Sequence, residues 1–292
     1  MSGKNTPRAT AWGELGAVAH RVEYVDAAGW RTRCLVAGEG DETLFLLPGT
    51  GGHLEAYTRN IAALARNRRV IAYDYPGHGY TTLTDHDLEL PEYVAHLAAL
   101  MEVYDVERAH LSGESLGGWI AVKFAAEHPD RVERLVLNTP GGTMARPEVM
   151  ARIRDLSQAA ADDPSPERVR SRLEWLMARA DSVTDELVDI RRAIYSREGF
   201  ADSMRHILCL QDPEVRARNL ITDAELESIA VPTLVVWTSD DPSGPAGAGL
   251  HMAERIPGGR FELIEDAGHW PQWEQWRRFN ALLTDFLDRE AA

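Results

Sequence analysis

Short apolar runs alternate with segments of helical periodicity along most of the chain. Continuous apolar runs, which are typical of strands buried on both faces, occupy 43–47, 69–73, 132–137 and 231–237. Segments with apolar residues three and four positions apart follow them, as over Leu116–Glu127. This alternation predicts an α/β fold with a mostly parallel central sheet and helices on both faces.

Both ends of the chain add elements to this pattern. Two strand-like segments, at 20–25 and 31–36, flank an Ala-Ala-Gly sequence and predict a hairpin. A strand at 260–264 and an amphipathic helix at 273–288 are predicted to close the chain. The first 17 residues show neither periodicity and are predicted to form a loose arm.

The alternation stops at Pro140, and strand-like runs are absent from the next 80 or so residues. Helices are predicted there at 147–160, 166–178 and 185–210, the last interrupted near Gly199. We therefore divide the chain into a first core part (residues 1–140), an inserted all-helical segment (141–226) and a second core part (227–292). Because ligands of open α/β sheets bind beyond the carboxyl ends of the strands, we expect the insertion to cover that edge as a lid.

The charge balance limits the classes of partner. The 292 residues carry 31 Lys+Arg against 46 Asp+Glu, a formal net charge of −15. This argues against nucleic acid or an anionic membrane surface as a partner, because both require clustered positive charge. Since no apolar stretch is long enough to span a bilayer and no signal peptide is evident, we expect a cytoplasmic protein. The two cysteines form neither a disulfide framework nor a metal motif.

The sequence Gly113-Glu114-Ser115-Leu116-Gly117 matches G-x-S-x-G between a predicted strand and a predicted helix. In that context the serine lies on a sharp, strained turn with its hydroxyl exposed, and the flanking glycines allow the backbone to approach closely. The amino end of the following helix adds a partial positive charge near the hydroxyl. Ser115 is therefore the candidate nucleophile.

A serine nucleophile needs a base and an orienting carboxylate. His269 follows the last predicted strand and is the preferred base, whereas His78 lies in a Pro-Gly turn that favours a structural role. His53 and His251 are interpreted as surface or lining residues. Asp240 and Asp241 both follow the strand at 231–237, and either could orient the base.

A glycine-rich loop follows the strand at 43–47 and is the candidate oxyanion hole. The backbone N–H groups of Thr50 and Leu116 are the expected donors, and Gly49 and Gly51 are candidate substrate contacts. The alternative, a phosphate-binding loop, is disfavoured because the loop lacks the G-K-[ST] ending.

With these residues in place, the chain resembles the α/β-hydrolase family over residues 18–290. Its turn at 74–79 is similar to the family's D-x-x-G-x-G sequence, and the family places the acid four residues after the strand tryptophan, which indicates Asp241. The triad order Ser115, Asp241, His269 is that of the family.

Within this family the chain most resembles the meta-cleavage product hydrolases, which split carbon–carbon bonds in ring-fission products of aromatic catabolism. The resemblance lies in G-H-W-x-Q-W-E at 268–274 and in the segment at 184–191. It implies that Arg191 binds the substrate carboxylate, that Arg192 faces elsewhere and that Trp270 lines the pocket. Three positions depart from the pattern: Pro48 replaces His, and Glu114 and Ala56 replace Asn.

The resemblance implies hydrolysis of a 2-hydroxy-6-oxo-hexa-2,4-dienoate, an anionic small molecule, without metal or organic cofactor. A homodimer is a candidate assembly. Two alternatives remain open at this stage: a carboxylesterase or lactonase using the same triad, and a non-catalytic binding protein of the same fold. Because Glu114 and Ala56 depart from the pattern of the meta-cleavage product hydrolases, ester cleavage remains an alternative.

Overall fold

A computed structural model describes residues 10–289 and contains one eight-stranded sheet. The strand order is β1-β2-β4-β3-β5-β6-β7-β8. The strands are β1 (His20–Ala27), β2 (Trp30–Ala37), β3 (Thr43–Leu47), β4 (Arg69–Tyr73), β5 (Ala109–Glu114), β6 (Val132–Asn138), β7 (Thr233–Thr238) and β8 (Arg260–Ile264).

Parallel pairing dominates the sheet. The first two strands form an antiparallel hairpin, and β2 also pairs antiparallel with β4, whereas every pair from β4 to β8 is parallel. Every residue of β3, β5 and β7 is buried, as expected for strands covered by helices on both faces. The predicted α/β fold with a mostly parallel sheet is confirmed.

Thirteen α-helices accompany the strands in the described part of the chain. They are α1 (Ala11–Leu15), α2 (Thr58–Leu64), α3 (Leu90–Val103), α4 (Leu116–Glu127), α5 (Pro147–Asp162), α6 (Pro166–Glu174), α7 (Asp185–Tyr195), α8 (Phe200–Ile207), α9 (Pro213–Asn219), α10 (Asp223–Ser228), α11 (Ala246–Arg255), α12 (Pro271–Glu274) and α13 (Trp276–Leu287). Short 3₁₀ turns occur at Leu54–Tyr57, Pro129–Arg131, Ala180–Ser182 and Leu208–Gln211.

The predicted loose arm is wrong where it falls on described residues. Ala11–Leu15 is a helix whose first turn is capped by the Thr10 side chain, which accepts a hydrogen bond from the Gly13 N–H. Ala11 and Leu15 are buried in the main core. One turn of helix is too short to show periodicity, so the pattern missed it. Residues 1–9 lie outside the described part of the chain.

The segment between β6 and β7 contains six helices, α5 to α10. The predicted interruption near Gly199 is present, since this glycine has φ 80° and separates α7 from α8. Sequence reasoning missed α9 and α10, although both have clear start signals. Asp212 caps α9, and Thr222 with Glu225 forms a capping box on α10.

A buried ionic network fixes the loops at the carboxyl end of the sheet. Arg33 on β2 makes a bidentate contact with Glu55 at 2.9 and 2.8 Å and reaches Asp74 at 2.6 Å. His53 Nδ1 lies 2.8 Å from Glu55 Oε2. His53 is thus fully buried, and its interpretation as a surface or lining residue is wrong. The network includes both segments that follow β3 and β4, so it holds them against each other.

His78 has the structural setting that its turn predicts. It is fully buried, its Nδ1 lies 2.9 Å from the Pro76 carbonyl, and its ring packs edge-on against Tyr75 and Tyr93. Burial lowers the pKa of His78 to about 4. His251, by contrast, is exposed and lies 3.3 Å from Asp223.

No helix within residues 10–289 combines the length and apolarity needed to cross a membrane.

Candidate active site

Ser115 lies at the junction of β5 and α4, with φ 53°. A side chain at Gly113 or Gly117 would collide with backbone, because a Cβ there would lie 2.2 Å from the Gly117 oxygen or 2.1 Å from the Leu47 oxygen. The strained turn is held by the Ser115 N–H, which donates to Asn138 at 3.1 Å, and by its carbonyl, which accepts from Gly141 at 2.8 Å. These hydrogen bonds hold Ser115 in its strained backbone conformation, as in the nucleophile turn of hydrolases of this kind.

His269 and Asp241 are in direct contact. Both oxygens of the buried Asp241 carboxylate lie 3.0 Å from His269 Nδ1. The N–H of Ser243 donates to Asp241 Oδ1 at 2.8 Å and fixes the carboxylate. Burial alone would lower the pKa of His269, but the charge and hydrogen bond of Asp241 outweigh it, and the pKa is raised. Asp240 is exposed and accepts a hydrogen bond from Ser239.

The other nitrogen of His269 faces a second acid. Nε2 lies 3.3 Å from Oε1 of Glu114, whose side chain is fully buried beside the glycine loop. A Cβ on Gly49 would lie 2.5 Å from Glu114 Oε2, so only glycine fits against this carboxyl group. Burial raises the pKa of Glu114 to about 7, although the charge of His269 opposes this.

A cavity opens beside Ser115. The predicted site residues that line it are Gly49, Thr50, Ser115, Leu116, His269 and Trp270. Leu116 is the first residue of α4, and the first N–H groups of a helix have no partner within it. Gly51 does not line the cavity; its φ is 67°, and its carbonyl accepts a hydrogen bond from Tyr195 at 3.1 Å.

Arg191 is not among the residues that line the cavity, but it packs against Trp270, which is. Its guanidinium carbon lies 5.3 Å from the centre of the Trp270 ring and 5.7 Å from that of Tyr195. The side chain is only 1% exposed, and its Nε and Nη2 have no hydrogen-bond partner within residues 10–289. Arg192 is partly exposed and contacts Asp189 and the Pro164 carbonyl, as its predicted outward direction requires.

Sequence reasoning missed three arginines that line the cavity, Arg146, Arg172 and Arg216. Arg172 is 3% exposed, donates to the Ser157 hydroxyl at 2.8 Å and leaves its Nη1 unpartnered among the described residues. Arg216 packs over Trp119, which also lines the cavity. A signal for Arg172 existed, since it lies between Val169 and Leu173 on the buried face of α6, where an arginine is uncommon.

Within the described residues, no group of three or more His, Cys, Asp or Glu side chains is arranged to hold a metal ion.

Comparison with known proteins decides the family. The sequence model of a family described as alpha/beta hydrolase fold matches residues 42–275, which is most of the chain. The chain belongs to the α/β-hydrolase family. This α/β-hydrolase carries the sheet, the strained serine turn and the acid–histidine pair in the chain order of that fold.

Named relatives of this α/β-hydrolase include carbon–carbon hydrolases. It is 34% identical over 265 residues to a 2-hydroxy-6-oxononadienedioate/2-hydroxy-6-oxononatrienedioate hydrolase from Paraburkholderia phymatum, covering 86% of this chain and 88% of that protein. It is 32% identical over 259 residues to a 2-hydroxy-6-oxo-6-phenylhexa-2,4-dienoate hydrolase from Comamonas testosteroni, covering 86% and 89%.

A solved structure supports the same placement. A mutant of a meta-cleavage product hydrolase from Pseudomonas fluorescens, complexed with acetates, superposes with a TM-score of 0.82 at 27% sequence identity. The alignment covers 93% of this chain and 98% of the other. This chain is therefore a hydrolase of the α/β-hydrolase fold with relatives that act on carbon–carbon bonds.

Proposed function

We propose that this α/β-hydrolase cleaves the C5–C6 carbon–carbon bond of a 2-hydroxy-6-oxo-hexa-2,4-dienoate. Ser115 is the nucleophile, His269 the general base and acid, and Asp241 the carboxylate that orients His269. The backbone N–H groups of Thr50 and Leu116 form the oxyanion hole. The proposal requires no metal or organic cofactor, because the substrate's own conjugated system accepts the electrons of the broken bond.

The observation that carries the proposal is the pair of buried arginines beside the candidate triad. Arg172 and Arg191 form no ion pair with any carboxylate within residues 10–289. Burying an uncompensated guanidinium is costly, so such a pair favours an anionic ligand. A carboxylate presents two oxygens that match the guanidinium fork. We infer that Arg191 binds the C1 carboxylate, with Trp270 against the dienoate and Arg172 adding positive charge nearby.

The reaction begins with transfer of a proton to C5 of the dienol, which converts it to the keto form. His269 then takes the proton of Ser115 while the serine oxygen adds to the C6 carbonyl carbon. The resulting oxyanion accepts hydrogen bonds from Thr50 and Leu116, a contribution that in other hydrolases amounts to about 2.7–4 kcal/mol per donor. The C5–C6 bond then breaks, and its electron pair passes into a dienolate. His269 gives the proton that it took from Ser115 to this dienolate, which becomes the 2-hydroxypenta-2,4-dienoate, and is left neutral for the second half of the reaction.

Release of the acyl group completes the cycle. His269 takes a proton from water, and the hydroxide equivalent adds to the acyl carbon on Ser115. Collapse of this second oxyanion breaks the ester bond, and the proton returns to the serine oxygen. The products are a 2-hydroxypenta-2,4-dienoate and a carboxylic acid that carries the C6 substituent.

The segment at 141–226 is proposed to act as the lid. Residues from α5, α6 and the turn before α9 line the cavity together with Ser115 and His269. Such a cover would exclude water until the carbon–carbon bond has broken, which matters because the dienolate is a reactive leaving group.

A carboxylesterase or lactonase using the same triad is the alternative, and a non-catalytic binding protein is the second. Parallel assays with a 2-hydroxy-6-oxo-dienoate and a neutral aryl ester of similar size separate them. We expect kcat/KM to favour the dienoate at least tenfold. Turnover of the ester alone would establish the esterase, and failure of a serine-directed phosphonate to label Ser115 would establish the binding protein.

A further inference from the structure

Glu114 is a buried acid in the candidate active site, and the proposed reaction gives it no role. Its side chain is fully buried and lines the cavity beside Ser115. Neither of its carboxyl oxygens accepts a hydrogen bond from a side chain within residues 10–289. Burying a carboxyl group without such partners is unfavourable, so its place beside the candidate nucleophile favours a function in the reaction.

The carboxyl group of Glu114 lies between the glycine loop and His269. Its Oε1 is 3.3 Å from His269 Nε2, and a Cβ on Gly49 would lie 2.5 Å from its Oε2. In the proposed reaction Nε2 is the nitrogen that exchanges protons, because Asp241 holds Nδ1. A proton can therefore pass between Glu114 and this nitrogen over one short contact.

The Arg191 side chain lies between the same two segments of the chain as Glu114. Its guanidinium carbon is 5.3 Å from the centre of the Trp270 ring, in the segment that contains His269. It is 5.7 Å from the centre of the Tyr195 ring, whose hydroxyl donates to a carbonyl of the glycine loop at 3.1 Å. A substrate that extends from Arg191 to the nucleophile therefore passes the Glu114 carboxyl group.

The groups around Glu114 set its pKa near neutral pH. Burial raises the pKa of Glu114 to about 7. The charge of His269, the N–H of Gly49 and the charge of Arg191 oppose this rise in pKa, and the charge of Asp241 adds to it. Burial lowers the pKa of His269, but the charge and hydrogen bond of Asp241 outweigh burial and the pKa is raised. One proton can thus move between the two neighbouring groups at little cost.

We propose that Glu114 takes the proton of the C2 hydroxyl group of the dienol while His269 gives a proton to C5. This inference rests on the proposed function, in which the first proton transfer has no assigned donor or acceptor. With the C1 carboxylate at Arg191, the C2 oxygen lies on the arginine side of the cavity, beside Glu114. C5 adjoins the carbonyl carbon that Ser115 attacks, within reach of His269.

The step balances without a further reactant. It starts with Glu114 ionised and His269 protonated. The O–H bond at C2 breaks, its electron pair forms the C2 carbonyl, the double bonds shift, and C5 takes the proton of Nε2. Glu114 is then a neutral acid, and His269 is the neutral base that Ser115 requires. After the acyl group has been released, the Glu114 proton returns to His269 across the 3.3 Å contact and restores the starting pair.

The variant Ser115→Ala isolates this step, because it forms no acyl-enzyme and the dienol loses its visible absorption on ketonisation alone. Adding Glu114→Gln should slow the loss of absorption about a hundredfold, since general acid–base catalysis supplies effects of this size. Glutamine keeps the size of the side chain but cannot accept the hydroxyl proton. Glu227→Gln in the same Ser115→Ala protein is the control and should leave the rate unchanged, because Glu227 is exposed and paired with Arg255 on the surface.

The rate at which a serine-directed phosphonate labels Ser115 separates this role from a structural one. Labelling uses the nucleophile and His269 but no proton transfer to or from a dienol. Glu114→Gln with Ser115 intact should therefore be labelled within about threefold of the wild-type rate. Equal slowing of labelling and of dienol loss would overturn the proposal, because a structural role of Glu114 would affect both.

Two further results would overturn the proposal while the proposed function stands, provided that the wild type forms both products. One is an unchanged rate of dienol loss when Glu114→Gln is added to Ser115→Ala. The other is a dienol absorption that Ser115→Ala alone leaves intact, because ketonisation would then not precede attack by the serine. A wild-type protein that is labelled at Ser115 but leaves the dienol unchanged would contradict the proposed function, and the proton transfer with it.

Discussion

Oε1 of Glu114 lies 3.3 Å from Nε2 of His269, on the side of the imidazole opposite Asp241. The proposed histidine base is thus flanked by two buried carboxyl groups. Asp241 holds the ring through both carboxylate oxygens. In Glu114, by contrast, neither carboxyl oxygen accepts a hydrogen bond from a side chain in the described part of the protein. Burial raises the pKa of Glu114 to about 7. Its protonation state therefore changes near neutral pH.

Glu114→Gln should change how stability depends on pH. Folding raises the Glu114 pKa from 4.5 to about 7, so between these values the folded state keeps a proton that the unfolded state loses. The free energy of unfolding of the wild type should fall across this window relative to that of the variant, by up to about 3 kcal/mol. Denaturant titrations at pH 4.5 and pH 8 measure this difference. A constant difference between the two proteins would show that Glu114 titrates normally.

Asp241→Asn should reduce kcat by about four orders of magnitude, as loss of the triad acid does in other serine hydrolases. Asp241 raises the pKa of His269, so its removal should also move the acidic limb of the kcat/KM profile to lower pH. Asp240→Asn is the matched control and should stay near wild type, because Asp240 is exposed. The reverse pattern would make Asp240 the orienting acid.

Arg191→Met should raise KM for a dienoate about ten- to hundredfold, because it removes a charge-assisted contact with the C1 carboxylate. Arg192→Met is the control, since Arg192 faces Asp189 and the Pro164 carbonyl. Arg172→Met distinguishes the two buried arginines. A larger rise in KM for Arg172→Met than for Arg191→Met would mean that Arg172, and not Arg191, binds the C1 carboxylate.

Arg33→Met should destabilise the protein by about 3–5 kcal/mol, because it leaves the buried carboxylates of Glu55 and Asp74 without their cation. Arg31→Met is the control on the same strand; Arg31 is exposed and stacks on Tyr24, so the expected change is within about 0.5 kcal/mol. Urea unfolding measures both. Equal effects of the two substitutions would mean that the network does not stabilise the loops.

The local sequence was sufficient to predict the central sheet and the turn that carries Ser115. Each apolar run became a strand because it is short, buried on both faces and bounded by loop residues. Ser115 could be assigned because its turn needs glycine on both sides, a requirement written in five consecutive residues. Asp241 and His269 follow strands β7 and β8, and parallel neighbouring strands bring their carboxyl ends together.

The remaining site residues depend on packing that no short pattern specifies. Spacing could mark Arg172 as a residue on the buried face of α6. It could not show that Arg172 and Arg216 line the cavity, because that depends on how their helices pack over the sheet. His53 was misjudged for the same reason. His53 lies in a loop and contacts Glu55, and Glu55 is held by Arg33, which is 20 residues before His53 on strand β2.

The most direct test of the account is product analysis after mixing the purified protein with a 2-hydroxy-6-oxo-dienoate. Loss of the visible absorption of the dienol should be accompanied by equimolar 2-hydroxypenta-2,4-dienoate and the carboxylic acid from the C6 side. Ser115→Ala should form neither product while remaining folded by circular dichroism. Equimolar products from Ser115→Ala at the wild-type rate would contradict carbon–carbon cleavage by Ser115. So would a wild-type protein that hydrolyses an aryl ester but leaves the dienol unchanged.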